Sequence, residues 1–89
     1  MMSKITIEGT KFEVRKTRHQ WGNFFRLYKS GKSTKHYFEF DADDDTWREV
    51  TKPTNSYMNM GGVHPTIEAA VHDALDRYAS FIRDKVIFI

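Results

Sequence analysis

The sequence predicts an α+β fold: a single antiparallel β-sheet of about four to five strands, with one long C-terminal amphipathic helix packed on one face. Three observations predict it. Several short segments alternate apolar with polar residues, the period of a half-buried strand. Glycine-bearing turn clusters separate them. The C-terminal part instead repeats apolar residues at i, i+3 and i+4, the period of a helix with one buried stripe.

The elements follow in chain order. Ile5 and Ile7 alternate with Thr6 and Glu8, and Phe12 and Val14 alternate with Glu13 and Arg15. The parity changes around Gly9, which implies a tight hairpin at Glu8-Gly9-Thr10-Lys11 or a bulge at Gly9. Lys16 to Asn23 is a polar connection. Phe24 to Tyr28 is the next strand, with Phe25 and Leu27 facing the helix and Phe24, Arg26 and Tyr28 on the other side. Ser30-Gly31-Lys32-Ser33 is a turn. Tyr37 to Phe40 follows, with Phe38 and Phe40 on one face and Tyr37 and Glu39 on the other.

Past the acidic turn Asp41–Asp45, Trp47 to Val50 is a short strand, with Trp47 and Glu49 on one face and Arg48 and Val50 on the other. Lys52 to Ser56 breaks it. Tyr57 to Met60 reads as an edge strand or an ordered loop, and Gly61-Gly62 as a flexible joint. The helix carries its stripe at Ile67, Ala70, Val71, Ala74, Leu75, Tyr78, Phe81 and Ile82. Thr66 is its candidate N-cap, and Glu68 suits the first turn. The run Val86, Ile87, Phe88, Ile89 has strand character. It reads as a final strand or as a tail that joins two copies in a homodimer.

With 89 residues, the chain is expected to form one domain, 1–89. Aromatic residues make up 15%, which helps a small core bury enough area. There is no cysteine, so disulfides, thiolate metal sites and a cysteine nucleophile are excluded. No apolar run approaches the roughly 20 residues of a membrane span. Met1-Met2-Ser3-Lys4 leads straight into a strand pattern rather than a signal peptide. The expectation is a cytoplasmic protein without a membrane contact.

The net charge of +2 hides an asymmetry. From Lys11 to His36 there are eight lysines and arginines and one acid, Glu13. From Glu39 to Lys52 there are six acids and two basic residues. Such a separation steers anionic partners, although facing strands of opposite charge can also simply pair. Within the basic block, Phe24, Tyr28 and Tyr37 are placed on the sheet face away from the helix. Arg26 lies among them, Lys29, Lys32 and Lys35 lie at the turn, and Arg18 and Trp21 in the preceding connection. Exposed rings among cations suit single-stranded nucleic acid, because rings stack on bases and cations neutralise phosphates.

The acidic turn places Asp41, Asp43 and Asp45 at alternate positions, as a calcium loop begins. Thr46 then stands where such a loop needs glycine, and Lys52 where it needs glutamate, so a solvated hairpin turn is the plainer reading. His19, His36, His64 and His72 make no close-spaced ligand pair, and Glu68 with His72 reads as an exposed pair. No nucleophile elbow or glycine-rich phosphate loop occurs. The chain is therefore expected to be a non-enzymatic binding module without a cofactor or metal. At fold level, strands followed by one C-terminal helix resemble small nucleic-acid-binding folds, among them the transcription-coactivator type. In size and character the chain also looks like small phage or mobile-element accessory proteins. That likeness, with the same exposed aromatics, Trp21 or the tail Val86, Ile87, Phe88, Ile89 as anchors, points to the alternative, a protein-interaction module or inhibitor of a host or partner protein.

Overall fold

The computed structural model describes residues 2–17, 22–54 and 56–85, with side chains described for 3–17, 22–54 and 56–78. Five strands run in chain order across one antiparallel sheet: β1 (Met2–Ile7), β2 (Thr10–Lys16), β3 (Phe24–Lys29), β4 (Lys32–Asp41) and β5 (Thr46–Val50). The helix α1 (Ile67–Lys85) follows.

Two of the hairpins close on two residues. Glu8 and Gly9 have φ of 50° and 81°, and Ser30 and Gly31 have φ of 50° and 83°. Positive φ at both central positions is the mirror-image turn whose twist matches paired strands, and glycine at the second position adopts it without a Cβ penalty. The parity change at Gly9 is thus a tight hairpin, with Ile7 opposite Thr10. The β4–β5 loop is longer. In it Asp41 Oδ1 accepts hydrogen bonds from the backbone N–H groups of Asp43 (3.0 Å) and Asp44 (3.4 Å), so this carboxylate builds the turn.

Between β3 and β4 the register shifts by a bulge between Arg26 and Tyr28. Side chains take up the backbone groups released there. Arg26 Nε donates to the Thr34 carbonyl at 2.7 Å, and Thr34 Oγ1 donates to the Leu27 carbonyl at 2.8 Å.

The main core lies between the helix and the inner sheet face. It contains Ile5, Phe12, Val14, Phe25, Leu27, Phe38 and Trp47 from the strands and Ala70, Val71 and Ala74 from α1. Small residues at two of the three helical positions let the backbone approach the sheet closely. The Trp47 ring packs 4.9 Å from Phe25 and 4.8 Å from Phe40. Thr66 caps the helix, accepting a hydrogen bond from the Ala69 N–H at 3.1 Å.

The helix runs over 19 residues, and side chains are described for its first 12, 67–78. The side chains of Phe81 and Ile82 lie outside the described residues, as do residues 86–89 and with them the proposed homodimer tail.

The segment 57–64, here called the strap, runs beside the outer edge of β5. It pairs at two isolated bridges, Val50 with Asn59 and Trp47 with His64. Backbone hydrogen bonds from Thr51 to Met58, Met60 to Glu49, and both ways between Trp47 and His64 hold it there. The strap covers an edge that would otherwise offer open pairing groups.

Candidate functional site

The outer sheet face, away from the helix, divides into two parts. At the β3–β5 end, Phe24 and Tyr37 are buried with Val50 in a second core cluster, against which Tyr57 packs. Phe24 is 0% and Tyr37 6% exposed, which corrects the expectation that these rings face solvent. The cause is the chain after β5. It brings Tyr57 edge-on to Phe24 at 4.9 Å, and the Tyr57 hydroxyl donates to Glu39 Oε2 at 2.7 Å. That hydrogen bond first, and partial burial second, push the Tyr57 hydroxyl pKa above the ordinary tyrosine value. Arg48 Nη2 lies 3.5 Å from the other oxygen of Glu39.

The β1–β3 part stays open and is cationic. The register sets Lys4 opposite Glu13, Thr6 opposite Lys11, Glu13 opposite Tyr28, and Arg15 opposite Arg26. Lys4, Lys11 and Arg15 are exposed, Arg26 and Tyr28 half-buried. The Arg15 guanidinium lies 4.2 Å over the Tyr28 ring and also bonds Glu13. The Arg26 guanidinium lies 5.1 Å over Tyr37. Each arginine is thus steered by an aromatic ring, which restricts where its charge can sit. Lys29, Lys32 and Lys35 are exposed on the β3–β4 hairpin, where the register sets Lys29 opposite both Phe12 and Lys32, on the helix side. Arg18 and Trp21 lie outside the described residues.

Sequence reasoning missed a polar chain on the helix side. Glu49 is 3% exposed, yet both carboxylate oxygens are paired. Oε2 meets His36 Nδ1 at 2.7 Å, and Oε1 accepts from Arg77. Arg77 also reaches Asp73 Oδ2 at 3.1 Å, and His64 Nε2 lies 2.9 Å from that oxygen. The chain His36–Glu49–Arg77–Asp73–His64 therefore ties β4, β5, α1 and the strap together. The hydrogen bond with His64 first, and Arg77 after it, hold the Asp73 carboxyl below the usual aspartate range despite the opposing effect of burial. Gly61 sits against this chain, where a Cβ would come within 2.5 Å of Arg77 Nη1 and 2.9 Å of Asp73 Oδ2. Glu49 and Arg77 are 28 positions apart, so no local spacing announces their pairing.

Beside this chain a cleft of about 530 Å³ opens between the β3–β4 hairpin, the strap and α1. A smaller lobe of about 390 Å³ shares His36, Glu49, Met60 and Tyr78 with it. Among the described residues no group of three or more histidine, aspartate or glutamate side chains is placed to hold a metal ion. Among the described residues no helix is long and apolar enough to cross a membrane. No protein-family model, curated protein or solved structure matches the chain.

Proposed function

We propose that this protein is a non-enzymatic binding module that takes single-stranded nucleic acid on the open, cationic part of its outer sheet face. The observation that carries the reading is the pair Arg15 and Arg26, set directly across two strands. Like charges in that relation oppose each other, and an anion placed between them removes the conflict. Lys4 and Lys11 extend the positive surface across the neighbouring strands. A phosphate backbone supplies anions at regular spacing along such a surface. The preference for single strands rests on Tyr28, the one ring of the expected three that remains half exposed. With Phe24 and Tyr37 buried, phosphate contacts contribute more to this reading than base stacking.

Fluorescence anisotropy with labelled single-stranded and duplex oligonucleotides tests it. Saturable single-strand binding that persists at physiological salt is expected. Equal, weak binding of both forms at low salt alone would reduce the face to an unspecific cation patch.

A second reading has its own observation. Met58, Met60 and Val63 on the strap are 70%, 48% and 56% exposed, an unusual run of large apolar side chains in solvent. Such residues suit a protein partner, in line with an interaction module or inhibitor. Affinity capture that recovers one specific protein, and loses it with Met58→Ser and Val63→Ser, is the outcome this reading requires.

A further inference from the structure

We infer that the cleft beside His36 is a pocket for a nucleobase carrying a phosphate. The inference rests on the nucleic-acid reading and adds a second contact to it, on the opposite side of the sheet.

The walls suit a flat ring. Met60 from the strap, Leu75 and Tyr78 from α1, and His36 from β4 line the opening. The His36 and Tyr78 rings stand edge to face, 5.7 Å between centroids, which fixes two planar surfaces at the site. A thioether and two aromatic rings form the soft, polarisable surroundings in which bases stack. The volume of about 530 Å³ falls within the roughly 300–1,000 Å³ of small-molecule sites.

Polar groups at the mouth complete the match. Lys29 and Lys35 line the cleft and are exposed, so an anionic group at its rim meets two ammonium groups. Glu49 does not repel it strongly, since Arg77 and His36 occupy both carboxylate oxygens. His36 meets Glu49 through Nδ1, on the carboxylate oxygen that Arg77 leaves open. His36 Nε2 has no partner among the described residues and is left to orient a base edge. The occupant is thus an apolar ring with an anionic end, not a purely aliphatic chain and not a bare anion. Lys29, Lys32 and Lys35 share one hairpin. A single strand lying on the outer face can follow these cations around the hairpin tip and place one base in the cleft.

The ring-plus-phosphate chemistry has two sources, a free nucleotide or one residue of a strand, and amide NMR shift mapping on the full chain separates them. The probes are adenosine 5′-monophosphate, inorganic phosphate, and a short single-stranded oligonucleotide. The nucleotide is expected to shift His36, Met60, Leu75 and Tyr78 saturably, phosphate alone is not, and the oligonucleotide is expected to shift these residues together with Lys11, Arg15 and Arg26. Met60→Glu, and separately Lys29→Glu with Lys35→Glu, should weaken nucleotide binding about tenfold or more. Both variants change exposed positions. Nucleotide binding at the cleft without oligonucleotide binding anywhere supports the pocket and removes the strand reading. Oligonucleotide binding on the outer face, with the cleft residues unmoved by every probe, overturns the pocket and leaves the outer-face reading intact. Equal shifts from phosphate and nucleotide also overturn it.

Discussion

Arg15 of β2 stands directly opposite Arg26 of β3, and each guanidinium rests on a different tyrosine ring, Tyr28 and Tyr37 respectively. The rings and the single carboxylate of Glu13 hold the two charges in place without neutralising both. If a phosphate backbone binds there, as proposed, it relieves the remaining repulsion, and binding and folding are then linked. A single-stranded oligonucleotide at about a hundred times its Kd is expected to raise folding stability by about 2.7 kcal/mol. Thermal melts with and without the oligonucleotide check this, and no rise in Tm would speak against binding to the native state.

Tyr57 packs against the buried cluster of Phe24, Tyr37 and Val50, edge-on to Phe24. Tyr57→Phe removes its hydroxyl from Glu39 and should cost about 1 kcal/mol. Tyr57→Ala also uncovers the Phe24 ring and should cost about 2–3 kcal/mol, at or below the foot of the range for deleting a large core ring because Tyr57 is half exposed. Urea denaturation of both variants measures the difference. Equal stabilities would mean that the ring contributes nothing beyond its hydroxyl.

Glu49 is the buried member of the helix-side chain, held by His36 and Arg77. Glu49→Ala leaves both partners without their shared anion. Removing one member of a buried pair costs about 3–5 kcal/mol. Arg77 is 32% and His36 21% exposed at the side chain, so water offsets part of the loss and about 2–3 kcal/mol is expected. Glu49→Leu should recover some of it, and equal losses for Ala and Leu would contradict the pairing as the cause.

The depressed pKa of Asp73 gives a pH dependence with a definite sign. A carboxyl whose folded value lies below its unfolded value stabilises fully above the unfolded value, and this contribution fades as pH falls through the folded value. Denaturant midpoints should therefore drop as pH is lowered from about 5 toward 3, and Asp73→Asn should flatten that part of the curve. An unchanged acid limb in Asp73→Asn would assign the dependence to other carboxylates.

Much of the sheet was legible because it obeys period two. Phe25 and Leu27, Phe38 and Phe40, and Trp47 and Glu49 all fall on the helix side, where alternation places them. The Glu8-Gly9 and Ser30-Gly31 turns were legible from glycine and strand parity. Alternation assigns a residue to a face, however, and does not say what covers that face. Phe24 and Tyr37 lie on the outer face as expected but in a buried cluster against which Tyr57 packs, and the placement of Tyr57 depends on a connection without periodicity. Glu49 appeared as one acid in an acidic stretch, because its partners His36 and Arg77 come from β4 and α1. Charge along the chain likewise did not reveal that Arg15 and Arg26 would face each other, since that follows from register.

The most direct test of the outer-face account compares two variants that change net charge equally. Arg15→Glu alters the paired arginines, and Lys52→Glu alters an exposed lysine beyond β5. Anisotropy of a labelled single strand is followed from low to physiological salt. The expected result is that Arg15→Glu weakens binding well beyond Lys52→Glu and lowers the slope of log K against log salt by at least about 0.7, one phosphate contact on a single strand. Equal weakening by the two variants, with equal slopes, would contradict an interface centred on Arg15 and Arg26.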